Sequence, residues 1–179
     1  MKRISFFSLL VCFMFIFASC QKAIEETPWA DYALKYKDKV FERDGDENDP
    51  MIVKAMVKVG FEADSIDDNK ISWCAAWAGF LLGEAGIKPS GSALGASYQK
   101  WGVKVKPRKW AIAITTDNHI AFLYSEEIFD TNSGKSYKLL GGNQTNSFKV
   151  SYYPVDKVAQ FRMPTKNELL NPANPAKGL

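Results

Sequence analysis

Read for the spacing of its apolar residues, the chain changes period near residue 109. Before that point apolar positions recur every three or four residues; after it they come in short runs. Trp29, Ala33, Tyr36 and Val40 share one helical face, as do Ile52, Val53, Met56 and Val57, so amphipathic helices are predicted over Trp29–Phe41 and Pro50–Phe61. Pro50 suits a first-turn position, and Asp49 can cap it. From Ser72 to Ala85 the pattern is apolar nearly all round, which predicts a buried central helix stopped by Gly86, with Pro89 just beyond. A shorter helix is predicted over Ser92–Trp101. After a basic loop, Lys104–Lys109, five runs rich in β-branched and aromatic residues are separated by turn chemistry: Trp110–Thr115, His119–Ser125, Ser136–Leu140, Phe148–Tyr153 and Val158–Arg162.

Helices first and strands second make an α+β chain, with N-terminal helices packed on a roughly five-stranded antiparallel sheet and no βαβ alternation. With 46% hydrophobic and 24% charged residues, the composition supports one domain with a true core, expected over residues 29–164. The acidic stretch Arg43–Asp49 reads as a solvated turn, because an EF-hand loop would need a glutamate at its twelfth position. Thr165–Leu179 reads as a flexible tail.

The amino terminus is different. Lys2 and Arg3 precede an apolar run, Ile4–Ala18, broken only by Ser5 and Ser8. As a helix this run reaches about 22 Å, short of a hydrocarbon core of about 30 Å, so it reads as a secretory signal rather than a span. It ends in Phe17-Ala18-Ser19-Cys20, which resembles the lipobox of bacterial lipoproteins, with Phe17 where the usual box has leucine. Residues 1–19 are therefore expected to be a signal peptide, Cys20 the lipidated residue and 20–28 a tether. The protein is expected in the cell envelope, periplasmic or at the cell surface, with a membrane as partner through the lipid on Cys20.

This leader changes how cysteine and charge are read. Of three cysteines, Cys12 would leave with the signal and Cys20 would be acylated, so Cys74 is the one thiol left and no internal disulfide can form. Losing Lys2 and Arg3 lowers the basic count from 23 to 21 against 20 acids, a near-neutral chain that gives no support to a nucleic-acid partner.

Chemistry then converges on few residues. Cys74 falls in the first turn of the central helix, at its exposed end, where unpaired N–H groups and the helix dipole favour a thiolate. His119 is the single histidine, placed at a strand start after the turn Thr116-Asp117-Asn118. A third group must fix the imidazole, and Leu140-Gly141-Gly142-Asn143-Gln144 offers Asn143 first, with Gln144 in reserve, a Cys-His-Asn variant of the triad. Each residue alone has a plainer reading: a core cysteine, a structural histidine, a tight turn. One cysteine and one histidine cannot furnish a zinc site, and neither metal nor cofactor is expected.

Trp73-Cys74-Ala75-Ala76-Trp77, Gly86-Ile87, Gly91-Ser92-Ala93-Leu94 through Trp101-Gly102, His119-Ile120-Ala121-Phe122 and Leu140-Gly141-Gly142-Asn143-Gln144 together resemble the CHAP-like cysteine peptidoglycan hydrolases, relatives of the NlpC-type peptidases. The resemblance spans about Trp29 to Pro164. It departs at Gly141, where CHAP domains often carry an acid, at Pro107-Arg108-Lys109-Trp110 in place of Pro-Gly-Asp, and at Asn118 in place of glycine. It implies a papain-like domain in which Cys74 is nucleophile, His119 base and Asn143 orienter. The implied activity is that of a cysteine peptidase or amidase cleaving amide bonds of peptidoglycan peptide stems. Trp73, Tyr98, Trp101, Trp110 and Gln144 are the candidate substrate-binding residues, although a core role suits each aromatic equally. A monomer is expected. The rival reading is a non-catalytic envelope lipoprotein that binds cell-wall peptide or acts as a scaffold.

Overall fold

Three α-helices and seven strands form over the residues that the computed structural model describes, which are 22–41, 48–68 and 70–170. The signal, Cys12, Cys20 and most of the acidic turn lie outside them. No described helix is long and apolar enough to cross a membrane.

Helix α1 (Trp29–Tyr36) buries Trp29, Ala30 and Ala33. Helix α2 (Pro50–Val57) begins as the sequence predicts: Pro50 is its first residue, and the Asp49 side chain accepts the Met51 N–H at 2.8 Å. Helix α3 (Cys74–Glu84) is buried at every position from Cys74 to Leu82, the consequence of an all-apolar circumference. It stops where Gly86 takes a φ of 73°, which lets the Ile87 N–H reach back to the Leu82 carbonyl at 2.9 Å.

The strands are β1 (Lys39–Val40), β2 (Val103–Val105), β3 (Ile112–Thr115), β4 (Ile120–Thr131), β5 (Gly134–Gly141), β6 (Ser147–Pro154) and β7 (Val158–Met163). They form one antiparallel sheet in the order β1-β6-β5-β4-β3-β7-β2. The mixed α+β reading holds; the strand number does not, being seven rather than five. Both additions are short edge strands. The first predicted helix breaks after Tyr36, Asp38 turns the chain at a φ of 66°, and Lys39 then pairs with Phe148. Val103 pairs with Met163 inside what reads as loop. Two or three residues carry too little alternation to register as a strand.

Two further expectations change. The helix predicted over Ser92–Trp101 is a 3-10 segment, Gly95–Lys100, in a stretch where glycine and serine weaken the α-helix. Of the expected flexible tail, residues 165–170 are anchored and residues 171–179 lie outside the described ones: Thr165 and Glu168 form a capping box, Leu169 bridges Ile87, and the Leu170 N–H donates to Gly86 O at 2.8 Å. The tether is also held at its far end, by the Ala23–Thr165 bridge and by Ile24 N–H to Pro164 O at 2.9 Å.

Between helices and sheet lies an aromatic core. Trp77 on α3 stacks on Phe80 at a centroid distance of 5.2 Å and meets Phe41 and Phe148 edge-on at 4.8 and 5.8 Å. Glycines permit two close approaches that set the site. At Gly142, just past β5, an added Cβ would lie 2.6 Å from Cζ3 of Trp73. At Gly95, an added Cβ would collide with the backbone carbonyl of Asn118, in the turn before His119. Overpacking costs about 1–3 kcal/mol, and backbone cannot yield as a flexible side chain does. Gly95→Ala is therefore expected to lower stability by at least that much, read as a reduced denaturant midpoint at unchanged slope.

Candidate active site

Cys74 is the first residue of α3, and no side chain caps that end. The N–H groups of Cys74, Ala75 and Ala76 therefore lack partners within the helix and present the positive end of its dipole. Contrary to expectation, this end is not exposed. Cys74 is 3% accessible, with Ser72, His119 and the Ile120 backbone among its neighbours.

The β3–β4 hairpin carries His119 in a rigid setting. Asn118 adopts a φ of 65°, a conformation asparagine tolerates well. Thr115, only 2% accessible, fastens both sides of the turn: its N–H donates to His119 O at 3.0 Å, its Oγ1 accepts the His119 N–H at 2.8 Å, and its hydroxyl donates to the Asp117 carboxylate. The hydrogen bond from Thr115 is the main reason that the Asp117 carboxyl titrates below its ordinary range.

The imidazole meets three neighbours. Its ring stacks on Tyr153 of β6 at 5.6 Å, with planes 10° apart. Its Nε2 faces the Gln144 amide at 3.5 Å. The Gln144 neighbours fix which amide atom is turned inward: with oxygen there, it accepts the Gly141 N–H at 3.1 Å while the NH2 donates to Lys149 O at 3.3 Å and to Ser151 Oγ. Gln144 Oε1 is thus an acceptor for an Nε2 proton, and Nδ1 is the nitrogen left for the neighbouring Cys74 thiol, on which the imidazole acts. Gly141 makes this packing possible, since a Cβ there would lie 3.0 Å from His119 Nε2.

Opposing effects act on the thiol. Burial is the largest and raises its pKa. The hydrogen bond and charge of His119, with smaller help from Ser72 Oγ at 3.5 Å and a hydrogen bond to the Ile120 backbone, outweigh it, and the thiol titrates below its ordinary value. Tyr153 moves the other way: burial, then the charges of Asp117 and Cys74, push its phenol up to about 12, so it stays a neutral hydroxyl beside the pair.

Of the residues singled out from sequence, the structure brings Cys74, His119 and Gln144 together. Asn143 does not join them. It is one of three residues, with Thr145 and Asn146, that turn the chain at φ values of 59°, 58° and 54°, and this coiling carries the next side chain, Gln144, to the imidazole. Trp73, Tyr98, Trp101 and Trp110 are 1%, 0%, 7% and 7% accessible, so their rings are packed in the core and line no open groove. Trp101 instead donates its indole N–H to Lys88 O at 2.8 Å, and the Trp110 carbonyl accepts the indole N–H of Trp29 at 2.9 Å. Tyr153 and Ser72 were not legible as site residues; Ser72 stands two positions before the cysteine, but Tyr153 has no sequence signal beyond the strand pattern. No group of three or more metal-ligating side chains occurs among the described residues.

Compared with protein-family models, with curated proteins and with solved structures, the chain matches none.

The thiol chemistry has a direct test. The rate of Cys74 alkylation by iodoacetamide, followed against pH, should show a midpoint below that of a free cysteine. His119→Ala removes the main lowering influence and leaves burial, so the midpoint should move upward and the rate near neutral pH should fall.

Proposed function

We propose that this chain is a cysteine hydrolase that cleaves amide bonds in the peptide stems of bacterial cell wall, built on a papain-like arrangement and held at a membrane by lipid on Cys20. One observation carries the reading: a thiol at an uncapped helix start, its pKa lowered by a neighbouring imidazole whose other nitrogen is turned to an amide oxygen. The cell-wall substrate rests on the sequence resemblance and on the lipoprotein-like leader.

In this mechanism His119 takes the Cys74 proton at Nδ1, and the thiolate attacks the scissile carbonyl. Free N–H groups at the start of α3 hold the oxyanion. His119 then protonates the departing amine, leaving a thioester on Cys74. A water molecule, deprotonated by His119, attacks the thioester, and the acid product leaves with the thiol restored. Gln144 keeps the Nε2 proton in place throughout, so Nδ1 is always the nitrogen that trades protons.

A second reading, a binding protein that keeps the pair without turnover, draws on the 3% accessibility of Cys74. Digestion of purified sacculi separates the two. Cys74→Ala should abolish release of soluble fragments while barely moving the thermal melt; equal digestion by the variant would overturn the hydrolase reading. Within that reading, Gln144→Ala should lower kcat by up to the roughly 10²–10⁴-fold that a positioned general base contributes. Asn143→Gly, which keeps the left-handed backbone, should stay near wild type.

A further inference from the structure

Beside the Cys74–His119 pair, on the far side of the β3–β4 turn, a cavity of about 270 Å³ is lined by Thr115, Thr116, Asp117, Tyr153, Pro154 and Lys157. At about 30 Å³ per water it holds roughly nine waters, enough for the end of one amino-acid residue. We propose that this cavity is a subsite for an α-amino-acid head group, an ammonium and a carboxylate on one carbon, with Asp117 receiving the ammonium and Lys157 the carboxylate. The proposal rests on the hydrolase reading only for what such a subsite would serve; the binding itself stands apart.

The walls are fixed. The β3–β4 turn is tied to the 3-10 segment Val155–Lys157 by the Thr116 N–H, which donates to Lys157 O at 2.9 Å. Thr115 pins Asp117 from below through its hydroxyl. Tyr153, stacked on His119, separates the cavity from the imidazole, and its side chain is within electrostatic reach of both Asp117 and Cys74. The cavity is therefore an open-sided pocket separated from the reacting sulfur by the stacked rings of Tyr153 and His119.

Its charges are arranged in an unusual way. Asp117 and Lys157 line the same small space, yet they make no ion pair with each other or with any other described side chain. Flexible lysines near a carboxylate commonly close such a pair, at little gain when exposed. Here opposite charges line one space without closing a pair, which suits a ligand whose own two charges are opposite and adjacent. A ligand with one charge would satisfy one wall and oppose the other.

The experiment uses the full mature chain and three probes that share one apolar side chain: norleucine, N-acetylnorleucine and norleucinamide. Affinity is read from titration of the Thr116, Asp117 and Tyr153 backbone amides by NMR. Norleucine should bind at least about tenfold more tightly than either capped probe, a difference of about 1.4 kcal/mol. In Asp117→Asn the advantage over N-acetylnorleucine should vanish, and in Lys157→Met the advantage over norleucinamide should vanish; melts of both variants check that they fold. Equal affinity for all three probes, or no shift at these amides, overturns the proposal. Sacculi left intact by a protein that still discriminates the probes overturns the hydrolase reading alone, and digestion without discrimination overturns the subsite alone.

Discussion

The contact between a buried thiol and a single imidazole is what the rest of the molecule is arranged around. Burial by itself works against a thiolate, and at 3% accessibility Cys74 is nearly cut off from water. Reactivity at such a position requires that stabilising groups be already in place, since solvent cannot supply them. His119, Ser72, the Ile120 backbone and the helix start meet this need from different parts of the chain. The aromatic core fixes one side by burying α3 around its whole circumference, and the Thr115-fastened turn fixes the other. Neither side chain of the pair is free to drift, so geometry replaces solvation.

Much of this was legible from residue types and spacing. The burial of α3, its stop at Gly86, the Asp49-Pro50 start of α2 and the five longer strands all follow from period and turn chemistry, because each obeys a rule local in sequence. Cys74 and His119 were legible for another reason: each is the sole remaining member of its kind after the leader is set aside. What escaped depended on contacts distant in sequence. The two edge strands exist only because β6 and β7 offer them partners. The covered Cys74 has neighbours, His119 and Ile120, some forty residues downstream, and periodicity along one helix carries no trace of them.

The choice between Asn143 and Gln144 illustrates the limit more sharply. Both are amides and both follow Gly141-Gly142, and residue chemistry puts Asn143 first with Gln144 in reserve. The deciding factor is the run of left-handed backbone in the loop, which consumes Asn143 as a turn former and delivers Gln144 to the imidazole. The aromatics followed a similar logic in reverse. Tryptophan and tyrosine suit a binding groove and a core equally well by composition, and long-range packing assigned these four to the core while placing Tyr153 against His119.

The anchoring of the tether has a consequence for reach. Ala23 is bridged to Thr165, Ile24 is hydrogen-bonded to Pro164, and Arg108 donates to the Glu25 carbonyl at 2.6 Å, so the chain is bound to the domain from residue 23 onward. On the proposed lipid at Cys20, three residue steps separate the acyl chains from the folded body, at most about 10 Å of extended chain. That length is comparable to a lipid headgroup layer, and it leaves no room for the domain to sweep through the space above a membrane. On the proposed function, the domain would work as a fixture of the bilayer surface, acting on the strands of wall that pass within touching distance and sparing those beyond.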